Sequence, residues 1–232
     1  WRSPMPWRYF RRLFGKEGGA AVEQIRRVRP IFQNMTHDQL ANFDLFHEAF
    51  GPRLRIVEML RHPVDLVDSW LRRGWGERFS TDPTGFTFCV RYNGQDIPYY
   101  AREWEAQYLA CSSTGRVVRM IARVWDDNIQ AYSSLSSDQK AQILFVPYEE
   151  FIQEPSGYIG ALSGFLGAKE TPSTSRTVKQ QRCPRPYSVR GRLAKWERIK
   201  TQATPDEISL LARLNGEYEN FVRSIRPAGR DH

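Results

Sequence analysis

The stretch from Arg55 to Ser69, RIVEMLRHPVDLVDS, restricts the fold of this chain more than any other. Its apolar run, containing Ile56, Val57, Met59 and Leu60, has the length of a buried strand and stops at Arg61, His62 and Pro63, where a helical pattern begins. An arginine therefore stands at a strand's carboxyl end. Open α/β sheets bind ligands there, and a guanidinium beside a helix N-terminus makes a good anion site. Ser69 lies about two helical turns further on, at a rise of ~1.5 Å per residue. The same residues also fit a plain strand-to-helix turn, with Pro63 at the first helical position and Asp65 favouring the helix dipole. The other motifs decide between these readings.

With 232 residues and 41% apolar content the chain is long enough for one substantial core, and its charge is too moderate for disorder. A single α/β domain over 1–232 is expected, with a three-layer architecture: a mostly parallel central sheet flanked by helices. No apolar segment approaches the ~20 residues of a membrane span, and the basic, aromatic start WRSPMPWRYFRRLF lacks the apolar centre of a signal peptide. The three cysteines, Cys89, Cys111 and Cys183, are widely spaced and odd in number, which argues against a disulfide framework and against a zinc site. A soluble protein of a reducing, cytoplasmic compartment is mildly favoured. The net charge of +8 is uneven: no acidic residue lies between Glu170 and Glu197, yet Arg176, Lys179, Arg182, Arg185, Arg190, Arg192 and Lys195 do. Such a segment implies an anionic partner, whether phosphate, sulfate, nucleic acid or an acidic polymer, and it also fits a plain solvated basic loop.

Along the chain, a basic and aromatic segment over 1–29 includes a helical stretch, AAVEQIRRV. Thr36, His37, Asp38 and Gln39 then fit a capping box ahead of an amphipathic helix with Leu40, Phe43, Leu45, Phe46 and Phe50, closed by Gly51-Pro52. His37 thus sits at a strand-to-helix junction, as Arg61 does. Residues 72–135 carry much aromatic weight. Gly74 to Asp96 reads as a long loop and Ile97 to Leu109 and Gly115 to Leu135 as helices, so the segment is expected to be an insertion on the acceptor side of a site, with Trp75, Phe79 and Tyr92 as stacking rings. Residues 143–146, ILFV, form a second candidate buried strand that ends in PYEEFIQEP, and the helix YIGALSGFLG follows. The basic segment reads as a Pro- and Ser-containing loop ending in VRGRLAKW. A last helix begins at Thr204-Pro205 and carries Leu210, Leu211, Leu214, Tyr218 and Phe221 as its apolar stripe.

Four junctions stand out: Thr36-His37, Arg61 to Ser69, Tyr148-Glu149-Glu150, and Arg190-Gly191 to Trp196. In order and spacing they resemble the sulfotransferases that use 3′-phosphoadenosine 5′-phosphosulfate (PAPS). That family has a Lys-Thr-His segment with the catalytic base, which Met35-Thr36-His37 resembles, and an Arg-x-Pro-x-Asp-x-x-x-Ser segment for the cofactor's 3′-phosphate, which Arg61, Pro63, Asp65 and Ser69 match at every fixed position. Its Tyr-Glu-Asp-Leu segment, with a proline seven residues after the tyrosine, is similar to Tyr148, Glu149, Glu150, Phe151 and Pro155. Its late Arg-Lys-Gly-x-x-Gly-Asp-Trp loop keeps its outline in Val189-Arg190-Gly191 and Trp196. The likeness covers about residues 30 to 222.

The resemblance implies a P-loop-like sulfotransferase fold, with PAPS as donor, adenosine 3′,5′-bisphosphate (3′,5′-ADP) as product and no metal. His37 is implied as general base, and Arg61, Ser69, Tyr148, Arg190 and Gly191 as cofactor ligands. The partner is a hydroxyl-bearing acceptor, with a carbohydrate or another polar compound favoured, and no nucleic acid. Three positions depart from the pattern: Met35 stands for lysine, Val189 for arginine and Lys195 for aspartate. No segment of the 36 residues before His37 reads as the family's phosphosulfate loop, and a chain that starts at Trp1 is expected to be truncated at its N-terminus. Two other readings compete. A P-loop nucleotide kinase needs G-x-x-x-x-G-K-[ST], which is absent. A non-catalytic basic module would bind nucleotide, nucleic acid or an anionic glycan through 176–195.

Overall fold

The computed structural model describes residues 19–28, 31, 33–35, 39–77 and 88–226. Two compact units divide the chain, residues 1–36 and 37–232. In the first, helix α1 (Gly19–Val28) is described. The Thr36–Asp38 part of the expected capping box lies outside the described residues.

The second unit is built on two parallel strands, β1 (Ile56–Leu60) and β4 (Ile143–Pro147), paired from Ile56↔Ile143 to Leu60↔Pro147. It is a helix-rich α/β fold with a small parallel sheet flanked by helices. Helix α2 (Phe43–Phe50) ends at Gly51 and covers the start of the sheet, where Leu40, Phe43, Ile56, Leu135 and Ile143 close on one another. At the far end Leu60 meets Tyr218 and Val222 of the last helix, α11 (Pro205–Ile225). Phe145 of β4 sits between these clusters with its ring centroid 4.9 Å from that of Tyr132 and 4.9 Å from that of Phe221, both edge to face, the geometry aromatic quadrupoles favour.

Helix α3 (Pro63–Arg72) leaves β1 with almost no connection, because proline fixes the first helical φ and its missing N–H costs nothing there. It packs with α5 (Ser113–Ser134) and α11 around the main core, which holds Val64, Val67, Tyr108, Val117, Val118, Met120, Leu211 and Leu214. Serine at 112 caps α5, and Thr204 with Glu207 forms a complete capping box on α11. The apolar stripe of α11 recurs at Leu211, Leu214, Tyr218 and Val222, the spacing that puts one face on the core.

Three sequence expectations are corrected. Gly74 to Asp96 is not a continuous loop, since β2 (Cys89–Tyr92) and β3 (Gln95–Pro98) pair as an antiparallel hairpin. Asn93 and Gly94 both take positive φ, 48° and 77°, the requirement of the tight turn that matches strand twist, and Arg91 pairs with Asp96 across it at 2.7 Å. The helix expected over Ile97 to Leu109 is shortened to α4 (Glu105–Ala110), because β3 and a 3₁₀ turn at Tyr99–Ala101 occupy its first half. The basic segment is two helices rather than a loop: α9 (Pro172–Gln180), opened by Thr171 and Pro172, and α10 (Val189–Lys200), capped by Ser188. Proline and serine there start helices. Helix α6 (Ser137–Lys140) precedes β4, α7 (Tyr148–Gln153) follows it directly, and α8 (Pro155–Leu166) ends at left-handed Gly167.

Gly76 is buried, and a Cβ there would run into the backbone carbonyl of Ser113 at the start of α5. Gly216, exposed in the middle of α11, has open space where its Cβ would stand. Thermal melts should therefore split the two substitutions. Gly76→Ala is expected to lose about 1–3 kcal/mol through overpacking, and Gly216→Ala to gain about 0.5–1 kcal/mol through helix propensity.

Candidate active site

Parallel pairing that ends at Leu60↔Pro147 leaves the next residues, Arg61 and Tyr148, side by side at the carboxyl edge of the sheet. The Arg61 guanidinium carbon lies 5.1 Å from the Tyr148 ring centroid. Its Nε is buried and has no hydrogen-bond partner. A buried cationic donor left open in this way is costly unless something fills it, and an anion is the natural complement.

The two acidic residues after Tyr148 do not fill it. Glu149 is buried, accepts the His62 backbone N–H at 3.0 Å and accepts the Tyr218 hydroxyl at 2.7 Å. Glu150 accepts from Tyr158 Oη and from the Arg226 guanidinium. Glu150 is thus ion-paired with Arg226, and both oxygens of Glu149 are taken by neutral donors. The buried Glu149 raises the Tyr218 pKa further, burial being the larger cause, so that hydroxyl stays protonated.

Behind Arg61 a second set of charges fixes α10 to α3. Asp65 is 1% exposed and accepts from Lys195 Nζ at 2.5 Å and from Tyr187 Oη. Asp68, 4% exposed, pairs with Arg198 and with Arg72, the latter at 3.0 Å. The acids stand three apart on α3 and the bases three apart on α10, so each helix presents its pair on one face. Burial alone pushes the Asp65 pKa up, but the bonds from Lys195 and Tyr187 outweigh it and hold the carboxyl below its usual range.

His62 caps α3. Its Nδ1 accepts the Val64 N–H at 3.3 Å, which places the proton of the neutral ring on Nε2, 3.8 Å from Glu219 Oε1. Burial, and secondly the nearby Arg192 cation, lower its pKa from 6.5 to about 4.

Of the residues expected at the site, Arg61 and Tyr148 are brought together. Ser69 lies in α3, 8% exposed, one turn beyond Asp65. Arg190 is exposed at the second position of α10, and the Gly191 N–H donates to Ser188 Oγ at 2.9 Å, so this amide belongs to the helix cap. Trp75 and Tyr92 are half-buried against the main core, with the Trp75 ring 4.6 Å from that of Trp70. His37 and Phe79 lie outside the described residues. Sequence reasoning missed Lys195, Arg198, Tyr187 and Arg185. The matching three-residue spacing of Asp65 with Asp68 and Lys195 with Arg198 was the available signal for the first two.

The model of one known family, described as the sulfotransferase domain, matches residues 16–183. The chain belongs to the sulfotransferase domain family. Searches of curated proteins and of solved structures find no match. The matched span of this sulfotransferase domain contains Arg61 to Ser69 and Tyr148 and stops before Ser188, so α10 enters the site on its geometry. Among the described residues no cluster of acidic, histidine or cysteine side chains is arranged to hold a metal, and no helix is long and apolar enough to cross a membrane.

The depressed His62 pKa has a definite sign. Between pH 6.5 and 4 the unfolded chain binds a proton that the folded chain refuses, so stability present above pH 6.5 falls as the pH drops, by up to about 3 kcal/mol. Urea midpoints at pH 7, 5.5 and 4.5 should show this decline. His62→Asn keeps a capping acceptor and removes the titration, so its profile is expected to be flatter over the same window.

Proposed function

We propose that this sulfotransferase domain moves a sulfuryl group from PAPS to a hydroxyl on a carbohydrate or another small polar acceptor. The observation that carries the reading is the Arg61 guanidinium, with a buried, unpartnered Nε beside Tyr148 at the carboxyl ends of two parallel strands. These groups fit the nucleoside end of the donor. A guanidinium offers a planar fork to a phosphate, and the neighbouring carboxylates already accept from other partners.

When bound, PAPS supplies the sulfuryl group and leaves as adenosine 3′,5′-bisphosphate. Arg61 holds its 3′-phosphate. Ser69 adds a hydroxyl from α3, and Arg190 with the Gly191 region at the start of α10 closes the other side, where the helix dipole also favours an anion. Tyr148 presents its ring to the adenine. His37 takes the acceptor's hydroxyl proton onto its imidazole, a step typically worth about 100 to 10,000-fold. Trp75, Phe79 and Tyr92 supply aromatic faces for the acceptor. Catalysis in such a transfer is mostly positioning and charge stabilisation.

Calorimetric titration and a turnover assay with labelled PAPS test these roles separately. Adenosine 3′,5′-bisphosphate should bind at least about tenfold more tightly than 5′-AMP, a difference of about 1.4 kcal/mol, and Arg61→Ala should erase that preference. His37→Ala should keep nucleotide affinity and lose turnover by about 100 to 10,000-fold. If the bisphosphate binds no better than 5′-AMP, the assignment of the site is wrong.

A further inference from the structure

Arg185 lies between the segments that match the family pattern, and the family model stops two residues before it. It nevertheless reaches the same tyrosine as Arg61. Its backbone N–H donates to the Ile152 carbonyl at 2.8 Å, which ties the chain after α9 to α7, the helix that Tyr148 begins. Its guanidinium donates to Tyr148 Oη and lies 6.0 Å from the Tyr148 ring centroid, against 5.1 Å for Arg61. One phenol therefore gathers two guanidinium groups, one from each side of the sequence.

Like charges gathered on one ring repel, and among the described residues neither guanidinium is paired with a carboxylate. The nearest candidates in sequence are committed elsewhere, Glu149 to the His62 amide and Tyr218, Glu150 to Tyr158 and Arg226. Arg192 adds to the field from the first turn of α10, its guanidinium 5.1 Å from the Tyr187 ring. Two guanidinium groups thus share one phenol without a carboxylate partner among the described residues, and the buried Arg61 Nε leaves a donor open between them. A dianion answers both features better than a monoanion or a neutral ring.

Resting on the PAPS reading of this same site, we infer that Arg185 is a second guanidinium of the 3′-phosphate seat, aimed by the Tyr148 hydroxyl, and that it sets the preference for a 3′-phosphorylated nucleotide. Arg61 comes from the end of β1 and Arg185 from the segment before α10, so the phosphate joins two parts of the chain that Tyr148 and the Tyr187–Asp65 bond already bring together. The tyrosine acts through its hydroxyl as a positioning group for Arg185, whatever its ring does for the base.

Titration of the folded chain with adenosine 3′,5′-bisphosphate, adenosine 3′-monophosphate and 5′-AMP tests this. Arg185 is exposed and its anchoring bond is made by the backbone, so Arg185→Ala should keep the wild-type circular dichroism and thermal midpoint. It is expected to weaken both 3′-phosphorylated nucleotides by about tenfold or more and to leave 5′-AMP unchanged. Arg185→Lys should recover part of the loss, since lysine keeps the charge without the fork. Tyr148→Phe should lie between wild type and Arg185→Ala for the 3′-phosphorylated pair. An unchanged bisphosphate affinity in Arg185→Ala overturns the inference, and so does an equal loss for all three nucleotides. If wild type itself shows no preference for the 3′-phosphorylated pair, the PAPS reading fails first and the role of Arg185 fails with it.

Discussion

The register of one strand pair governs this site. Because β1 and β4 run parallel and end together at Leu60↔Pro147, the residues that leave them, Arg61 and Tyr148, emerge at the same edge and the same height. Parallel strands require a long crossover between them, and here residues 61–142 supply it, carrying α3, the hairpin and α5. Those elements are not an appendage. They hold much of the main core, so the same crossover that lines up the strand ends also gives the unit its stability. A slip of one residue in the pairing would turn the strand faces over and separate Arg61 from the tyrosine ring.

Charge placement follows from that register. Each strand end opens a helix within three residues, α3 at Pro63 and α7 at Tyr148, and helix starts are favourable places for acids and for anions. The protein uses the acids of both first turns internally. Asp65 takes Lys195 and Tyr187, Glu149 takes the His62 amide and Tyr218, and Glu150 takes Arg226. At the edge the guanidinium groups of Arg61 and Arg185 have no carboxylate partner among the described residues. The anion preference proposed for the site would therefore follow from how its acids are used, more than from the total charge of +8.

Much of the frame was legible in the sequence. The apolar runs at 56–60 and 143–146, Pro63 after the first, Gly167 closing a helix and Thr204-Pro205 opening the last one all carry local physics strong enough to stand without tertiary context. The hairpin was missed although Asn93-Gly94 is a strong turn signal, because its strands are four residues long and lie in aromatic, polar sequence that alternates poorly. The basic segment reads as a loop on its proline and serine content, yet Thr171-Pro172 and Ser188 open helices there. Tertiary pairing was the least visible. Nothing local in Arg185 says that it returns to Tyr148, and nothing local in Lys195 says that it reaches Asp65, since each pair depends on a fold that brings distant helices together.

Lys195 shows why a departure from a family pattern is best judged in three dimensions. In the late segment of the sulfotransferase pattern an aspartate is expected at this place, and lysine there looks like a loss. Asp65 makes it a requirement of this chain's packing. With 1% of its surface exposed, Asp65 stays ionised because a cation lies 2.5 Å away. A second carboxylate in the position of Lys195 would put two like charges in one buried pocket, and α10 would be pushed off α3 or one acid would take up a proton. The reversed charge therefore keeps α10 seated beside the strand ends, with Arg190 and Arg192 carried on its first turn.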